Sequence, residues 1–162
     1  MISMKSINKR FAKIRIVSKM VQYSDETDAT EQLTAEDVTE ESSTLTTDCT
    51  VADKGGKLEI KYEESEITGM DGSTTKLFFD TREPGLVSLL REGSVSSAFV
   101  FEAGRRHLCV YNTPCFPIEL CVDTKELQNN LTYHGGSFHA VYLVEMNGVL
   151  AERAEVTITL LT

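Results

Sequence analysis

No tryptophan occurs in this chain, and only three prolines do, so aromatic packing falls to five tyrosines and seven phenylalanines. The prolines, Pro84, Pro114 and Pro117, confine ladder-breaking chemistry to two corners. No stretch carries a convincing helical period. Leu127 and Leu131 stand four apart, but Asn129 and Asn130 between them are poor helix formers, which predicts extended or irregular chain there. No apolar run approaches the ~18 residues of a membrane span. Lys13, Arg15 and Lys19 interrupt the apolar core that a secretory leader needs. The expectation is a cytoplasmic protein with no membrane partner.

Chemical signatures are equally scarce. There is no glycine-rich phosphate loop, no Walker A pattern and no serine framed as a nucleophile elbow. The four cysteines, Cys49, Cys109, Cys115 and Cys121, show no C-x-x-C spacing, and His107, His134 and His139 complete no zinc pattern. These absences predict no catalytic residues, no metal and no cofactor. In a reducing compartment the cysteines read as thiols packed like small apolar residues. Cys109 and Cys121 lie equally far from Cys115, so a symmetric hairpin would set them opposite each other. Asn130-Leu131-Thr132 matches a glycosylation sequon, which without secretion is a chance match.

Charge is present but unevenly placed. Residues 1–19 hold six bases and no acid, while 24–48 hold nine acids and no base. The chain has 25 acids and 16 bases, so removing that second stretch leaves 25 − 9 = 16 acids against 16 bases. A near-neutral body offers no electrostatic footprint for nucleic acid. The basic start reads as a solvated tail and first strand over 1–19. Residues 20–48, rich in Ser, Thr, Asp and Glu, read as a long disordered acidic loop, with 49–162 supplying the rest of a single domain.

What the chain has in quantity is alternation with period two, the mark of strands with one buried face. Ala12-Ile14-Ile16, Leu58-Ile60-Tyr62, Thr75-Leu77-Phe79, Val87-Leu89-Arg91 and Phe99-Phe101 each form one row. Leu108-Val110 forms the next, against His107-Cys109-Tyr111. Ile118-Leu120-Val122, Phe138-Ala140-Tyr142-Val144 and Val156-Ile158-Leu160 follow. Between them stand hairpin signals, above all Asn147-Gly148 and Asp71-Gly72, with Gly55-Gly56, Ala103-Gly104, Pro84-Gly85 and Gly135-Gly136. A sheet this long, with no helices to cover its apolar face, buries that face by packing on itself. The fold predicted is all-β: an antiparallel up-and-down barrel of about 8–10 strands. A sandwich is the alternative.

Three clusters stand out against this pattern. Tyr62 shares the inward parity of Leu58 and Ile60, and Glu64 would follow it, where a buried carboxylate needs a partner. Arg91 shares parity with Val87 and Leu89, so a guanidinium faces the barrel interior. Paired to a carboxylate it is a structural ion pair; aimed at a ligand it grips an anion in bidentate fashion. Tyr111-Asn112-Thr113-Pro114 runs from a strand end into a corner, where polar side chains usually fix a turn.

These same residues carry a family resemblance. Tyr62 with Glu64, Arg91-Glu92-Gly93, Phe99 and Phe101, Tyr111-Asn112-Thr113-Pro114, Leu120, Thr124, Gly136 and Tyr142 follow one another in an order and spacing that resembles the YwiB-like family. That family comprises small bacterial calycin-type barrels of unknown function. The opening strand near Ile14 and Ile16 fits as well. Two features depart from it: Pro114-Cys115-Phe116-Pro117 replaces the family's Pro-Phe-Gly or Pro-Tyr-Gly corner, and the acidic insertion is long. The resemblance implies a lipocalin-like barrel and supplies no activity. The functional expectation is a binding protein with a small anionic ligand at the barrel mouth, near Arg91, Glu64, Tyr62, Tyr111 and Thr113. The alternative is an interaction or scaffold protein with a filled barrel, acting on a protein partner through its surface or acidic loop.

Overall fold

The computed structural model describes residues 7–23, 38–64, 72–93, 96–112 and 114–161. Ten strands close into one antiparallel barrel in which every strand pairs with its neighbours in sequence, and β10 closes on β1. They are β1 (Ile7–Tyr23), β2 (Val38–Lys54), β3 (Lys57–Glu63), β4 (Thr74–Asp80), β5 (Leu86–Glu92), β6 (Ser96–Glu102), β7 (Arg106–Asn112), β8 (Pro117–Asn129), β9 (Gly136–Met146) and β10 (Val149–Leu161). This is the up-and-down barrel that the alternation predicts, and closure gives each described strand a partner on both sides.

The rows point where parity puts them, with one exception. Ile14, Val51, Leu58, Ile60, Leu77, Val87, Phe101, Val122, Phe138 and Ile158 are all buried inside. On β7 the inward row is the opposite one. Cys109 pairs with inward Leu120 and Tyr111 with inward Ile118, so Leu108 and Val110 face out, 74% and 49% exposed. A run of Leu-Cys-Val-Tyr is apolar on both faces, so alternation alone does not choose between them.

The same hairpin corrects the cysteine expectation. Asn112 pairs with Pro117, which puts its midpoint between Pro114 and Cys115 rather than on Cys115. Cys121 therefore pairs with Leu108, and Cys109 lies on the other face. Cys49 is buried, and that burial, with the Asp48 charge adding to it, raises its thiol to about 11.

The expected loop over 20–48 is corrected at both ends. β1 runs on through Tyr23 and β2 begins at Val38, so Met20 pairs with Glu41 and Ser18 with Ser43. Residues 24–37 lie outside the described residues. The inward row of β2 reads Glu41, Ser43, Leu45, Thr47, Cys49 and Val51. With only three apolar side chains it resembles loop composition, yet Thr is a good strand former, and both neighbours supply a ladder.

Antiparallel order sorts the connections to two ends. The turns at Gly55-Gly56, Thr81–Gly85, Ala103–Arg105 and Asn130–Gly135 lie at the closed end. There Leu131 is buried, and Arg10 Nε donates to the Tyr133 carbonyl at 2.9 Å with its guanidinium over the Tyr133 ring. Gly136 fits tightly beneath this plug: a Cβ there would lie 2.3 Å from the Asn130 carbonyl oxygen, at a φ of +100°. Gly136→Ala is therefore expected to destabilise the barrel by about 2 kcal/mol. The check is a denaturant midpoint compared with Gly104→Ala, where φ is also positive but nothing lies near.

Candidate functional site

The other end opens into a cavity of about 800 Å³. That size suits a small organic ligand. Its floor and lower walls are apolar, with Leu77, Leu89, Phe99, Phe101, Phe138 and Ile158 among the lining side chains. Phe101 stands at the centre of an aromatic cluster, with Tyr142, Phe138 and Phe99 at 4.9, 6.1 and 6.3 Å between ring centroids.

Above this apolar layer one ring of inward residues crosses six strands. The registers set Tyr62 opposite Thr75, Thr75 opposite Arg91, Arg91 opposite Ser97, Ser97 opposite Tyr111, and Tyr111 opposite Ile118. Three of the five residues singled out from sequence, Tyr62, Arg91 and Tyr111, are thus neighbours on one course of the wall. Glu64 joins them just beyond the end of β3, its backbone N–H bonded to the Ser73 carbonyl at 2.8 Å. Thr113 lies outside the described residues.

Arg91 Nη2 meets Glu64 Oε1 at 3.3 Å, with the two side chains 13% and 2% exposed. The same carboxylate oxygen accepts a 2.6 Å hydrogen bond from the Thr75 hydroxyl. Burial, then the charge of Glu64, pushes the Tyr62 phenol far above its ordinary range, so it remains a neutral donor. Arg91 is not fully satisfied by this arrangement. Its Nε is shut off from solvent and has no hydrogen-bond partner among the described residues. Arg91 is also the only cation among the described residues lining the cavity. A guanidinium with spare donors above an apolar chamber can receive a carboxylate or phosphate oxygen.

Sequence reasoning missed the far wall. Glu41 at the rim of β2 and Glu152 on β10 also line the cavity, with Met20 of β1 between their strands. A bulge at Ala151 shifts the β9–β10 register so that Glu152 stands opposite inward Val144. Glu152 shares parity with Ala154, Val156, Ile158 and Leu160, a signal that was legible; Glu41 was lost in the acidic composition around it.

Burial, with repulsion from Glu41 behind it, raises the Glu152 carboxyl above its ordinary range. The unfolded carboxyl ionises near the usual ~4.3. Because the folded value is higher, the stability this group contributes is complete below the unfolded pKa and is lost as pH rises through the folded one. Glu152→Gln should therefore melt higher than the wild type at neutral pH, the two curves merging near pH 4. A constant difference across that range would contradict the assignment.

Comparison with known proteins adds a family and a fold. A family model described as a domain of unknown function (DUF1934) matches residues 28–158. The crystal structure of the ywiB protein from Bacillus subtilis superposes with a TM-score of 0.65 at 19% identity, covering 94% of each chain. At that identity the likeness is one of fold. No curated protein matches the chain.

Proposed function

From the premise that the chain belongs to the DUF1934 family, a domain of unknown function, we propose that it is a small-ligand-binding barrel that holds an acidic group of its ligand on Arg91. One observation carries this reading: a buried guanidinium with an unpartnered Nε stands over a cavity of about 800 Å³ with apolar lower walls. Glu64, itself held by the Thr75 hydroxyl, pairs with the guanidinium from one side. Its remaining donors are then fixed before a ligand arrives, which lowers the ordering cost of binding. Tyr62 and Tyr111 stand on the same course of the wall, two strands to either side of Arg91. The lipocalin-like character of the barrel and its cytoplasmic location belong to this same proposal.

Native and denaturing mass spectra of the purified protein test it. A mass excess that disappears on denaturation is expected. A clean apo mass, with no rise in melting temperature on adding medium-chain carboxylates, contradicts the reading.

A second reading, a protein acting through its surface, draws on the outward Leu108 and Val110, both exposed, beside half-buried Cys121 on β8. An apolar strip on the outside of a barrel suits a protein partner. Under that reading Leu108→Lys with Val110→Lys abolishes a partner interaction and leaves ligand binding unchanged. Loss of ligand binding in that variant would contradict it.

A further inference from the structure

We propose that the ligand carries a cationic group as well as an acidic one, joined through apolar atoms, and that Glu41 and Glu152 receive the cation across the mouth from Arg91. This rests on the reading that Arg91 holds the acid.

Strand order places Glu152 on the wall opposite Arg91, with Glu41 two strands nearer on β2. Going round the barrel, β10 is five strands from β5 in either direction. Gln22 of β1 pairs with Glu152 and Met20 with Glu41, so both carboxylates share the inward face at the mouth. Both line the same cavity as Arg91. Neither has an ion pair or side-chain hydrogen bond among the described residues, whereas Glu64 has both. The nearest bases, Lys19 and Arg153, alternate with these inward positions and face outward. Two acids of one sign on the strands that flank β1 repel each other, and burial disfavours the Glu152 charge further. A protein that needed only an apolar or anionic ligand gains nothing from this arrangement. A ligand cation relieves both costs at once.

Tyr142 connects the two walls. Burial raises its phenol above the ordinary range, with the negative charge of Glu152 adding to that and the positive charge of Arg91 opposing it. It therefore lies within electrostatic reach of both, and its ring packs on Phe101 at the centre of the apolar layer. A ligand spanning the cavity would lay its apolar middle over Phe101 and Tyr142, with one charged end on each wall. The chemical class is a zwitterionic amphiphile.

Three probes of one chain length separate the claims: dodecanoate, dodecylamine and the ω-amino acid of the same length, titrated by calorimetry into the full chain. The ω-amino acid is expected to bind about tenfold more tightly than dodecanoate, the scale of one added charge-assisted contact. The double variant Glu41→Gln, Glu152→Gln should erase that advantage, read as the ratio of the two affinities within the one variant. Both replacements are isosteric, and a melting curve confirms the fold. Equal binding of dodecanoate and the ω-amino acid to the wild type overturns this inference while leaving the Arg91 reading in place. Failure of all three probes to bind overturns both.

Discussion

Arg91→Met is expected to destabilise the barrel by about 3–5 kcal/mol, and Glu64→Gln added to it should recover most of that loss. The substitution keeps the volume of the side chain and removes its charge. What remains is the Glu64 carboxylate, 2% exposed, with the Thr75 hydroxyl as its hydrogen-bond donor. A buried ion left without its partner costs about that much, whereas replacing both ions with neutral groups is often close to neutral. The double variant thus separates two roles that the single variant confuses. Its fold is restored, but the cavity has lost its only described cation. Chemical denaturation gives the stabilities. A single variant as stable as the wild type would mean that water reaches Glu64 and that the pair is not buried.

Phe101→Ala is the second large effect, expected to cost about 3–5 kcal/mol. Phe101 is 1% exposed and touches Phe99, Phe138 and Tyr142, so its removal strips the centre from the aromatic cluster. Because it also lines the cavity, the chamber enlarges by most of a phenyl ring. Leu→Ala and Phe→Ala substitutions cost most where the surroundings cannot collapse, and a closed barrel wall has little freedom to do so. The variant should also accept bulkier apolar bodies than the wild type. A loss below about 1 kcal/mol would indicate a core that repacks readily, against the rigid chamber described above.

The barrel was legible because its inward rows are apolar and its turns carry the residues that positive φ requires. Asn147 at φ 53° and Gly148 at 78° close the β9–β10 hairpin as the Asn-Gly pair suggests. The Arg91 row was legible by counting: Val87, Leu89 and Arg91 share parity, and β5 keeps an unbroken register with both neighbours. Two things were not. On β7 both rows are apolar, and only the registry with β8 decides between them. On β2 half of the inward row is polar, and its polar end at Glu41 and Ser43 lines the open cavity rather than a packed core. The acid-rich stretch therefore concealed both a strand and one of the residues at the mouth.

Calorimetric titration of dodecanoate into two proteins tests Arg91 as the anchor for an acidic group inside the barrel. One is the wild type; the other is the refolded double variant Arg91→Met, Glu64→Gln. Binding to the wild type with a loss of at least about tenfold in the double variant is the expected result. Equal affinity for the two proteins would contradict the claim, since the chamber would then hold the chain by its apolar walls alone.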